Sequence, residues 1–180
     1  MALVATCVIQ SLIATSKVTN ITTNIGVSII MSTIRATTSS ISNIISYIIS
    51  EPTNNSEHIK QFLTKSDLYF TITTIQAFIN EQTMNDSQKS VASALEGVSE
   101  ILTTLHDDLQ LIKIECENHK SKWFSGYRTF TWSKSIETLE SHSNILNHRY
   151  NLLFELLKIA RFNKDNDKGH EHKEPKLLEQ

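Results

Sequence analysis

Glycine and proline are scarce in this chain, with 4 and 2 among 180 residues. Folds rich in tight turns spend more of both, and no glycine-rich loop is present to cradle a phosphate. Cysteine is almost as rare. Cys7 and Cys116 are the two present, which excludes a disulfide-stapled scaffold and fits a reducing compartment. Charge of one sign is also missing: the formal net charge is -2, so the basic footprint of a dedicated nucleic-acid binder is absent. The first seventeen residues, MALVATCVIQSLIATSK, lack the Lys or Arg that precedes the apolar stretch of a signal peptide. Between Lys17 and Arg35 no residue is charged, yet Asn20, Thr22, Thr23, Asn24, Gly26 and Ser28 interrupt the stretch too often for a resting membrane span. These features lead us to expect an intracellular, cytoplasmic protein, with membrane association as a further option.

What is present is helical periodicity. In the Ile-, Ser-, Thr- and Val-rich block 1–50, Ile30, Ile34, Ile41, Ile44 and Ile48 recur at helical spacing, and Ile45 and Ile49 widen the stripe. The same residue types favour strands, but steps of three and four outnumber alternation. The spacing predicts one long helix over about 2–50, or two collinear ones bent about Asn24 to Val27. Pro52 and the polar run after it end that element. A second helix is predicted over 56–82, apolar around much of its circumference through Ile59, Phe62, Leu63, Tyr69, Phe70, Ile72, Ile75, Phe78 and Ile79.

A third helix, 87–123, has the clearest seam: Val91, Leu95, Val98, Leu102, Leu105, Leu109, Ile112, Cys116, His119 and Trp123. A fourth, 132–162, repeats the pattern in Trp132, Ile136, Leu139, Ser143, Leu146, Tyr150, Leu153, Leu157 and Ala160. The charged, polar residues 163–180 read as a disordered tail. The expected fold is all-α: one domain over 1–162, an antiparallel four-helix bundle with a long N-terminal helix. Fifty helical residues would span ~75 Å and the second helix only ~40 Å. Part of the first helix must therefore fold back, project, or pack on another chain.

Chemistry-bearing constellations are few. Cys116 and His119 share a helical face at a spacing zinc can use, with His106, His142 and His148 as further ligands. Both also lie on the third helix's apolar seam, where they serve as ordinary core residues. Glu115 stands four residues before His119, not the three of a Glu-x-x-His pair, and no second copy appears. No Gly-x-Ser-x-Gly elbow is present, so no metal, cofactor, small-molecule substrate or catalytic residue is expected. Two surfaces stand out instead. Ile30, Ile34, Ile41, Ile45 and Ile48 form a candidate face toward a partner or membrane, within a Ser/Thr-rich segment almost free of charge. Trp123, Phe124, Tyr127, Phe130 and Trp132 form a second candidate patch, or else plug the end of the bundle.

From about Leu102 to Ile159 the pattern resembles the N-terminal four-helix bundles of cell-death effectors. The similarity lies in Glu115-Cys116-Glu117-Asn118-His119-Lys120-Ser121-Lys122-Trp123-Phe124, a short aromatic crossover, and the stretch from Lys134-x-Ile136 to Leu157. The necroptosis pseudokinase's bundle and the plant RPW-type domains are nearest, and fungal HeLo domains are more distant. The resemblance implies membrane permeabilisation through oligomerisation and exposure of the N-terminal helix. The sequence thus leads to a non-enzymatic helical interaction protein. It would partner copies of itself, another helical protein or membrane lipid, and no nucleic acid. The alternative is a structural scaffold, such as a viral assembly or host-interaction component, without membrane activity.

Overall fold

A computed structural model describes the backbone of residues 2–51, 57–81, 89–121 and 132–170. Side-chain surroundings are described for residues 26–51, 57–81, 89–118 and 132–162. Among them the chain is all-α: α1 Ala2–Ser50, α2 Glu57–Lys65, α3 Leu68–Glu81, α4 Lys89–Ser121 and α5 Ser133–His170.

The apolar seam of α4 holds the fold together. Val91, Leu95, Val98, Leu102, Leu105, Leu109, Ile112 and Cys116 are all buried, as their four-and-three spacing predicts. On α5 the expected seam supplies Trp132, Leu139, Leu146 and Leu153 to the same core, with Ile136, Tyr150, Leu157 and Ala160 packed against it. α2 and α3 both run antiparallel to α1, and α4 crosses to lie beside α1. Two contacts fix that register: His106 meets Ser40, and the Lys113 ammonium lies 5.0 Å from the Tyr47 ring centre. Both pairs are 66 residues apart, so α1 and α4 run parallel. On the far side of α4, Asp108 meets His142 and Gly97 meets Arg149, the pattern of antiparallel neighbours. A ring of α1, α4, α5 and α3 results, with α1 and α5 at opposite corners.

Where one helix was expected over 56–82, there are two. Ser66 N–H closes α2 by donating to the Phe62 carbonyl at 2.8 Å, and the Asp67 carbonyl opens α3 by accepting from Thr71 N–H at 2.8 Å. The cause is packing. Leu63 and Leu68 are both buried, yet five residues apart on one helix they would face ~140° apart. The break at Ser66-Asp67 turns both inward. Tyr69 and Phe70, expected inside, are exposed instead, because the new phase of α3 gives its inner face to Leu68, Ile72, Ile75 and Ile79. Near the other end of α3, Phe78 meets Tyr150 edge-on at 6.0 Å between ring centres. Burial pushes the Tyr150 phenol above the ordinary tyrosine value.

The polar run from 163 was expected to be disordered, but α5 continues to His170. No proline occurs between Ser133 and Pro175, so no proline stops the helix at 162. Residues 171–180 lie outside the described residues, as do the ends of the third predicted helix at 87–88 and 122–123.

α1 is one unbroken element of 49 residues, ~74 Å long, so it does not fold back on itself. By the offset of 66, the first residue of α4, Lys89, stands level with Thr23. The 21 helical residues from Ala2 to Thr22 therefore lie upstream of that level. Gly26 sits inside α1 with nothing within 4 Å of the position a Cβ would take. Glycine costs about 0.5–1 kcal/mol relative to alanine within a helix. Gly26→Ala should therefore stabilise the protein by about that amount, read as a higher midpoint in urea denaturation.

Candidate association surface

The inner and outer faces of α1 differ sharply, and they correct the sequence-based site. Ile34, Ile41, Ile45 and Ile48 are completely buried within the chain's own bundle, and Ile30 is half-buried against the same core. They do not form a face toward a partner or membrane. The physical reason is the i, i+3, i+4 spacing itself: it aims one stripe at the nearest apolar surface, and α3 and α4 supply that surface. Thr38 completes the stripe. Its hydroxyl, buried from solvent, donates to the Ile34 carbonyl at 2.8 Å.

Opposite this stripe, α1 exposes Ser32, Ala36, Ser39, Asn43, Ser46 and Ser50. These are small residues at four-and-three steps, rimmed by exposed Ile29 and Ile49. Between Gly26 and Ser50 the only charged residue is Arg35. That charge is committed within the chain: Arg35 Nη2 donates to the Ile79 carbonyl at 2.9 Å, two residues before α3 ends. It thereby satisfies an acceptor in the last turn and sits at the negative end of that helix. Over about seven turns the outward face therefore has one cation at its edge, the exposed Arg35, and no other charge.

The second candidate patch is only partly described. Trp132 is buried at the start of α5, where its carbonyl accepts from Ile136 N–H at 2.9 Å. It acts there as a core residue. Trp123, Phe124, Tyr127 and Phe130 lie outside the described residues.

Polar chemistry concentrates where α4 meets its neighbours. His106 Nε2 is 3.0 Å from Ser40 Oγ, and His106 Nδ1 is 3.2 Å from Asp107 Oδ1. This has the order of a nucleophile, base and acid. Acyl transfer would also need main-chain donors aimed at an oxyanion. Ser40 and Asp107 both lie within long helices, where each N–H is already given to the carbonyl four residues back. The chain of contacts therefore joins α1 to α4 without an oxyanion site beside Ser40. Similarly, His142 Nδ1 lies 2.6 Å from Asp108 Oδ2 and joins α5 to α4.

The zinc candidates separate in the same way. Cys116 is a core residue, His106 and His142 have the partners just named, and the side chain of His119 lies outside the described residues. Among the described residues no three His, Cys, Asp or Glu side chains converge as a metal site. A polar cleft of about 520 Å³ runs between α2 and α5, lined by His58, Phe62, Lys65, Asp67, Glu140 and Asn144. It is wide open, and its mixed charges set up no single ligand chemistry. Among the described residues no helix is long and apolar enough to cross a membrane.

Sequence reasoning recognised the uncharged Ser/Thr segment but placed its candidate face on the isoleucine stripe, which the bundle buries. The signal was available: the small residues follow the same four-and-three steps as the isoleucines, half a turn away. Comparison with protein-family models, with curated proteins and with solved structures finds no match to this chain.

Proposed function

We propose that this chain is a non-enzymatic helical interaction protein that associates with copies of itself through the outward face of α1. The observation that carries this reading is the missing charge. A helix face that stays in water ordinarily bears Lys, Glu, Arg or Asp. This one offers serine, alanine and asparagine, and its single nearby cation is tied to the carbonyl of Ile79. Small side chains let a second helix approach closely, and Arg35 at the edge of the face is the one ion near its path. A scaffold built by repeated association would use the same surface. A cell-death-like route through a bilayer would need the buried isoleucines to leave the core, at about 1.5–3 kcal/mol for each side chain exposed to water on the way.

The test is light scattering on the full chain and on a Ser32→Glu/Ser46→Glu double variant, each with and without anionic liposomes. Both positions are exposed, so the variant should melt like the parent. The parent should scatter as an oligomer and the double variant as a monomer. A parent that is monomeric in solution and binds only the liposomes would assign the face to a bilayer and overturn self-association.

A further inference from the structure

We propose that the outward face of α1 is covered by the outer strip of α5 from a second copy, so that association proceeds head to tail. This rests on the self-association reading and names its partner surface. On α5, Ile145, Leu152 and Ile159 are 39%, 52% and 55% exposed, and Phe162 follows at 67%. Among the exposed large apolar side chains of the described residues, only the first three recur at a fixed step of seven.

The face of α1 has the same period. Ser32, Ser39 and Ser46 are seven apart, and a parallel row runs through Ala36, Asn43 and Ser50. Each step advances ~10.5 Å along either helix, so large side chains on α5 match the gaps between small ones on α1. Ser39 and Leu152 are the midpoints of their rows and meet whichever way the helices run. Charge is sparse at both surfaces: Arg35 stands at the edge of the α1 face, and Glu155 beside the α5 strip is already paired with Lys158 at 2.8 Å. Pairing two α5 strips would set bulk against bulk and leave the small face of α1 uncovered.

The two surfaces lie on diagonal corners of the bundle, α1 at one and α5 at the other. Each copy therefore offers one of each, and a contact between unlike surfaces leaves both ends open to further copies. The assembly grows rather than stopping at a dimer.

Two exposed substitutions in the full chain test this: Ser39→Lys, which spoils only the α1 face, and Leu152→Glu, which spoils only the α5 strip. In sedimentation velocity the parent should grow past dimer with concentration, and each variant alone should be monomeric. An equimolar mixture of the two should give a species of twice the monomer mass and nothing larger, because each variant supplies the surface the other has lost. If Leu152→Glu still associates like the parent while Ser39→Lys does not, head-to-tail pairing fails and self-association through α1 stands. A parent that is monomeric throughout overturns both. Should either variant melt differently from the parent, disulfide capture decides instead. Ser39→Cys and Leu152→Cys chains, each with Cys7→Ser, should form a mixed disulfide on oxidation. Disulfides between like chains alone would overturn the proposal.

Discussion

Ile41→Asp should abolish the cooperative thermal melt and leave a largely unfolded chain by circular dichroism. Ile41 has no solvent exposure and belongs to the continuous core that joins all five helices. The substitution removes about 1.5–3 kcal/mol of apolar burial. It also places a carboxylate in apolar surroundings, at an effective cost of several kcal/mol even after relaxation. Together these are comparable to the total stability of a typical domain, about 5–15 kcal/mol. The control is Ser39→Asp, two residues away on the exposed face, which should keep the melt. The pair discriminates directly between the two sides of α1. If Ile41 were turned toward a partner or lipid, the aspartate would leave the isolated monomer folded.

Leu105→Ala should cost about 2–5 kcal/mol in urea denaturation, through lost transfer energy and the cavity left behind. Leu105 is fully buried on the seam of α4, the helix that packs against both α1 and α5. Leu111→Ala, about one and two-thirds turns further on, should change stability by less than about 0.5 kcal/mol, because that side chain is largely in solvent. Equal losses at the two positions would mean that α4 does not rest on the seam described.

The seams of α4 and α5 were legible because a single physical rule governs them. Apolar residues at steps of three and four must share a face, and a face that apolar must be buried. Val91 to Cys116 obey it without exception. The second helix escaped that rule because its division depends on Ser66 and Asp67, which end one helix and begin another. Taken singly they are ordinary polar residues. Only the need to bury Leu63 and Leu68 together reveals the break.

The candidate association surface was half legible. Periodicity identified the isoleucine stripe but could not say whether another chain or the chain's own helices cover it. That depends on α4 crossing to lie beside α1, a long-range choice that no local spacing encodes. Arg35 gave no local signal either, since its role depends on the end of α3, 44 residues away. The seven-residue row on α5 was hidden for a different reason. Ile145, Leu152 and Ile159 follow the same period as the buried Leu139, Leu146 and Leu153 one residue away on the helix, and only the packing of α5 decides which row faces the core.

Sedimentation equilibrium of the unmodified chain over a wide range of concentration addresses the bare face of α1 most directly. The expected result is an average mass above the 20.4 kDa of one chain, rising as concentration rises. A single 20.4 kDa species at every concentration would contradict it.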